Sequence, residues 1–124
     1  MEGFKNVDIY LIDQLLKNRI QSNMRILDAG CGSGRHFKFF LENGFDITAI
    51  DSDSDVIFRL QNHYPNYYSQ KIKYSAVEDF QDVLKYDFIV CNAVLHFAQD
   101  HHHFDTMFTN LIDLLNPNGF YLFA

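Results

Sequence analysis

The chain has 124 residues, 48% hydrophobic and 16% aromatic, with 13 Phe, 7 Tyr and no Trp; this is enough for one domain with a real core and excludes a disordered chain. Ten Lys and Arg against 16 Asp and Glu give a formal charge of −6. Asp46, Asp51, Asp53 and Asp55 read as one acidic field that repels phosphate backbones, so no nucleic-acid partner is expected. Cys31 and Cys91 belong to no CxxC pair, a usage that reads as cytoplasmic rather than as a disulfide framework. The start MEGFKNVDIY lacks the order of a signal peptide, and no apolar run approaches membrane-spanning length, so no membrane partner is expected.

Residues 4–20 carry Phe4, Val7, Ile9, Leu11, Ile12, Leu15, Leu16 and Ile20 at mostly helical spacing, which predicts an amphipathic N-terminal helix. Residues 24–30 read as a strand, followed by alternating glycines and a helix from about Gly34 to Asn43 that Gly44 stops. A second strand over 46–50 ends at Asp51, and a helix over 54–63 is closed by Pro65. Residues 71–75 predict a third strand, 80–84 a short helical turn or loop, and the apolar run 86–91 a buried fourth strand. A helix over 103–115 is ended by Asn116-Pro117-Asn118-Gly119, and residues 120–124 read as a fifth strand. This alternation predicts a three-layer α/β/α sandwich with an open, mainly parallel, Rossmann-like sheet in one domain, its cofactor-binding core over 24–124. Such sheets ordinarily continue past a fifth strand, so the expectation is a fold truncated there.

Asp28-Ala29-Gly30-Cys31-Gly32-Ser33-Gly34 lies between a strand and a helix, where glycines permit a tight turn and bring a ligand against bare backbone. The helix N-terminus adds N–H groups and a positive dipole end suited to an anionic or polar ligand. Asp51, twenty-one residues past Gly30 at the end of the next strand, sits where a carboxylate accepts from ribose hydroxyls. A dinucleotide fingerprint wants glycine at 35, but Arg35 stands there and Gly34 comes one place early, which disfavours a nicotinamide oxidoreductase. A P-loop is excluded because no G-K-[ST] follows.

The stretches ILDAGCGSGRH, AID at 49–51, AVEDF at 76–80, YDFIVCNAVLHF at 86–97 and LLNPNGFYLF at 114–123 run in order through residues 24–124. Together they resemble the class I seven-stranded S-adenosylmethionine-dependent methyltransferases, specifically their small-molecule branch. The resemblance implies S-adenosyl-L-methionine as cofactor, with Asp28 orienting its methionine end and Gly30, Cys31 and Gly32 lying against it through backbone. Gly34 would let helix and strand approach, and Ser52 would sit against the adenine. Val77 would donate its backbone N–H to a ring nitrogen, and Asn92 and Ala93 would supply backbone near the amine. Ala76 stands where family members often carry an Asp that accepts from the adenine amino group, so Glu78, Asp79 or water is expected to cover for it. The family's usual Pro-Gly-Gly turn is Pro117-Asn118-Gly119 here, with Asn118 expected to take the loop geometry a glycine would.

Methyl displacement needs alignment more than an acid–base pair, and His96, at the carboxyl end of the fourth strand, is the candidate general base. His101, His102 and His103 are adjacent on a helix start and point in different directions, so no metal site is expected. The function expected is methyl transfer to a small-molecule acceptor. The rival is a non-catalytic or partial cofactor-binding domain, acting as a fragment of a longer enzyme or in a homo-oligomer paired through the exposed C-terminal strand.

Overall fold

The computed structural model describes residues 18–67, 71–91 and 98–123. Of the helix expected over 4–20, only residues 18–20 fall within it; they form a turn instead, with Asn18 in the left-handed region at φ 58. From there the order is β1 (Arg25–Ala29), α1 (Arg35–Glu42), β2 (Asp46–Asp51), α2 (Ser54–His63), β3 (Ile72–Tyr74), a 3-10 turn (Val77–Asp79), β4 (Tyr86–Cys91), α3 (His101–Asp113) and β5 (Leu115–Phe123). The strands form one parallel sheet in the order β3-β2-β1-β4-β5.

Strand periodicity divides the core. Ile26, Ile47, Ala49, Phe88 and Val90 face one way, against Phe37, Phe40, Ile57 and Leu60 of α1 and α2. Leu27, Ala29, Ile50, Ile89 and Cys91 face the other, against Met107 and Leu111 of α3. Both faces of β1 and β4 are thus covered, and the three-layer sandwich follows.

The stop at Gly44 has the form the sequence leads one to expect. Gly44 sits at φ 81, its N–H donates to the Leu41 carbonyl and that of Phe45 to Phe40, 3.2 and 2.9 Å away. The Phe40 and Phe45 rings pack edge to face at 5.1 Å, completing a Schellman closure with its apolar contact.

Of the helical turn or loop expected over 80–84 the loop forms, with a 3-10 turn just before it at Val77–Asp79. Two boundaries differ from the sequence reading. The helix expected over 103–115 runs over His101–Asp113, started by Asp100, whose side chain accepts from the His103 N–H. Strand β5 begins before the Asn-Pro-Asn-Gly turn: Leu115 pairs with Tyr86 and Phe120 with Phe88, so residues 116–119 bulge from the strand. Neither Asn118 nor Gly119 is left-handed; glycine suits 119 because a Cβ there would stand 3.0 Å from the Asn116 carbonyl and 3.1 Å from that of Asp87.

The amino ends of the strands are tied by charge. Arg25 reaches Asp82 at 3.3 Å and Asp46 at 3.6 Å and lies over the Tyr86 ring, while the Tyr86 hydroxyl donates to Asp82 at 2.6 Å and Lys71 to Asp46 at 2.5 Å. Burial works against the charged form of Asp82, but the Tyr86 hydroxyl, Arg25 and Lys73 together hold its carboxyl below the usual range.

Candidate cofactor site

β1 and β4 are neighbours in space, with β2 and β3 on the far side of β1; the crevice at the carboxyl ends of β1 and β4 is therefore the switch point of the sheet, where open α/β folds bind ligands. The glycine loop leaves β1 there. Gly30, Gly32 and Gly34 have φ of 76, 53 and 83, values that side-chain-bearing residues rarely adopt. Beside Gly32 a Cβ would meet nothing within 4 Å among the described residues. At Gly34 it would stand 2.7 Å from Leu60 Cδ1, so this glycine admits α2, where the family resemblance implied the approach of a strand.

The backbone donors of the loop are largely committed. Gly30 and Cys31 both donate to the Ile50 carbonyl, at 2.9 and 3.0 Å, and Gly34 to Cys31 at 2.9 Å. Gly32 donates to Asp51 Oδ2 at 3.0 Å. A pyrophosphate cradle needs such N–H groups free. The loop turns these donors inward, away from any ligand anion.

At the end of β1, leading into the loop, lies a buried acid. Asp28 is 0% exposed, and among the described residues no side chain bonds its carboxyl, which the Phe37 backbone N–H approaches without a regular hydrogen bond. Burial first, then the nearby Asp51 charge, pushes it up to about 7, against a partial pull the other way from the Phe37 backbone N–H and Arg35. Burial, Asp28 and Asp51 also push the Cys31 thiol up, so it is a neutral packed group and no nucleophile. A buried carboxyl short of donors fits a ligand that brings a positive charge.

Asp51 accepts once on each oxygen, from Gly32 and from the Asp53 N–H at 2.9 Å, which leaves lone pairs on both for ligand hydroxyls. The sequence reading missed this double duty: the acid that would read a ribose also fixes the glycine loop. The four aspartates read as one acidic field prove to have separate roles. Asp46 is ion-paired at the far end of β2, Asp53 caps α2 through the Asp55 and Val56 N–H groups, and Asp55 lies in the first turn of that helix.

Ser52 is exposed just past β2, and the side chain of Val77 is buried in the 3-10 turn after β3. Asn110 on α3 holds that turn, donating from Nδ2 to the Val77 and Phe80 carbonyls at 2.6 and 2.9 Å. Glu78, expected to cover for Ala76, is engaged with His103 Nε2 on α3. Asn92, Ala93 and His96 lie outside the described residues. Among the described residues no group of three or more His, Cys, Asp or Glu is arranged to hold a metal ion, and no helix is long and apolar enough to cross a membrane.

Comparison with known proteins agrees with this architecture. A ubiquinone biosynthesis O-methyltransferase of Rickettsia akari is 31% identical over 114 residues, covering 89% of this chain and 44% of its own length. The protein of that name in Rickettsia felis is 29% identical over 113 residues, covering 89% and 45%. The chain therefore spans less than half the length of these curated relatives. An S-adenosylmethionine-dependent methyltransferase of Clostridium acetobutylicum has the same fold, with a TM-score of 0.75 at 20% identity over 97% of this chain and 49% of that one. So has an amino pentose methyltransferase of Micromonospora echinaspora, solved with S-adenosylmethionine bound, with a TM-score of 0.77 at 16% identity over 92% and 48%. The profile of the methyltransferase domain family matches residues 6–124, so this chain belongs to that family and is built on the Rossmann-like fold of the class I S-adenosylmethionine-dependent methyltransferases.

Proposed function

We propose that the chain binds S-adenosylmethionine at the β1–β4 crevice and serves methyl transfer to a small-molecule acceptor by direct displacement. The observation that carries this reading is Asp28: a fully buried carboxyl with no side-chain hydrogen-bond partner among the described residues, next to a loop whose N–H groups are turned inward. That arrangement suits the cationic amino-acid end of this cofactor and is ill suited to a pyrophosphate. Asp51 would take the ribose hydroxyls, the open space at Gly32 would admit the ligand against backbone, and the turn at Val77 would meet the adenine. The cofactor, when bound, supplies the activated methyl group; the protein's part is to hold it in line with the acceptor and away from water. His96 is the proposed base for an acceptor that must lose a proton. The names of the Rickettsia relatives support an oxygen acceptor. Calorimetry with S-adenosylhomocysteine and with NAD tests the cofactor class. Binding of the first and not the second is expected, and the reverse would overturn the reading.

A second reading has a specific observation behind it: the chain is a cofactor-binding unit that works joined to another chain through β5. Within the described sheet β5 pairs with β4 alone. Tyr121 on it, 40% exposed, packs edge to face on Phe108 of α3, beside the half-exposed Phe104 and Ile112. Edge strands with apolar flanks recruit other strands. Light scattering over a concentration series, with a methyl-release assay on the same samples, separates the two readings. Association that rises with concentration and brings activity with it favours the second; an active monomer throughout removes it.

A further inference from the structure

We propose that Asp28 holds a proton in the free protein and releases it when the cationic end of the cofactor arrives, so that binding at this site expels about one proton. This rests on reading the site as one for S-adenosylmethionine. The geometry is the argument. Asp28 stands at the centre of the sheet, with Ala49 of β2 and Val90 of β4 beside it in register and no exposed surface. A carboxylate there has no exposed surface and, among the described residues, no donor beyond the Phe37 backbone N–H, a condition that favours the neutral acid.

The surrounding charges do not reverse this. β2 brings Asp51, a like charge that disfavours a second one, and the loop brings Cys31, whose thiol is itself held neutral. α1 brings the exposed Arg35, the Phe37 backbone N–H and, buried on the same helix, His36; β4 brings apolar Val90 and the buried thiol of Cys91. Arg35 and the Phe37 N–H favour the charged form, but burial and Asp51 outweigh them, leaving the free carboxyl near about 7.

A ligand ammonium changes the balance, because a charge-assisted hydrogen bond is made only by the carboxylate. The proton leaves Asp28 for the buffer, and the carboxylate pairs with the ligand's N–H groups. A ligand with no cation leaves the acid neutral. Asp28 would in this way also select for the charged end of the ligand, tightening its hold as pH rises toward neutrality.

The test is calorimetry of S-adenosylhomocysteine binding to the full chain between pH 5.5 and 7.5, in acetate and MES at the acid end and in phosphate and imidazole near neutrality, pairs whose ionisation enthalpies differ. The expected result is a buffer-dependent enthalpy corresponding to nearly one proton released at the acid end and a smaller fraction at pH 7.5. Affinity should fall about ten-fold per pH unit below the Asp28 pKa. Methylthioadenosine, which lacks the amino-acid end, should bind without releasing a proton. In Asp28→Asn the release should vanish and affinity become flat with pH; release that persists there comes from another group such as His36 and overturns the proposal. Binding of S-adenosylhomocysteine to the wild-type chain with a buffer-independent enthalpy at pH 5.5 also overturns it, without need of the variant, and leaves the cofactor reading standing. Failure of S-adenosylhomocysteine to bind at any pH, with NAD bound instead, overturns both.

Discussion

Gly32 and Gly34 stand two residues apart in one loop, both with positive φ, and a side chain added at either would act on a different process. Beside Gly32 no described residue comes within 4 Å of a Cβ, so Gly32→Val should fill the volume a ligand needs and abolish S-adenosylhomocysteine binding, while unfolding changes only by the backbone strain of about 1–2 kcal/mol. At Gly34 a Cβ would press on Leu60 of α2, so Gly34→Ala should lower the melting temperature more than any effect on affinity in the protein that remains folded. Measuring both quantities in both variants checks the contrast; equal losses in each would show that the loop is scaffold throughout. Asp51→Ala should weaken S-adenosylhomocysteine at least about ten-fold, through loss of charge-assisted bonds and of the anchor at Gly32 N–H. Unchanged affinity would remove Asp51 from the site. The glycine spacing and Asp51 were legible in the sequence because a tight turn and a ribose contact each demand one residue type at one place. The inward commitment of the loop donors to Ile50 and Asp51 was not, because it depends on how closely β2 approaches β1.

At the scale of elements, α3 acts on the site without lining it. Asn110 bonds both the Val77 and the Phe80 carbonyl, fixing the turn that would meet the adenine. Asn110→Ala leaves two carbonyls without that donor and should destabilise the fold by about 1–3 kcal/mol. It should also weaken adenosine-containing ligands, whereas Asn110→Asp, which keeps the size but lacks the donor, should behave like the alanine variant. Thermal unfolding and calorimetry on the two variants check this; affinity unchanged in both would mean that the turn holds its shape by itself. Nothing in the sequence pointed to Asn110, since a polar residue inside an amphipathic helix reads as solvated. The helices and strands themselves were legible almost to the residue wherever an apolar period ended at Gly, Pro or Asp, as at Gly44 and Asp53. The errors fell where tertiary contact decides. Leu115 joins the sheet before the bulge because Tyr86 offers it a partner, and a 3-10 turn forms at Val77–Asp79, just ahead of the 80–84 loop, where Asn110 holds the Val77 carbonyl.

Across the whole molecule, the two ends of the sheet carry acids perturbed in opposite directions, and together they set how stability depends on pH. At the carboxyl end Asp28 is raised from 3.8 to about 7 by burial and Asp51. Between those values the folded chain binds a proton that the unfolded chain has lost, so stability falls as pH rises through this window, by about 1.4 kcal/mol per unit and of order 4 kcal/mol in all. At the amino end Asp82 is held below its usual value by Tyr86, Arg25 and Lys73 despite its burial; its contribution is present above the unfolded value and is lost as pH falls through the folded one. The windows do not overlap: Asp82 acts on the acid limb and Asp28 from there up to neutrality. Urea unfolding at half-unit steps from pH 3 to 8 should show the wild-type chain losing stability from about pH 4 to 7. Asp28→Asn should remove that descent and keep the acid limb, while Asp82→Asn should blunt the acid limb and keep the descent. Saturating S-adenosylhomocysteine should also flatten the wild-type descent, since a bound cation gives Asp28 the partner it lacks and its carboxylate then costs the fold little. A wild-type profile that superposes on that of Asp28→Asn from pH 4 to 7 would mean that Asp28 is already charged in the free protein, satisfied by a donor the fold itself supplies.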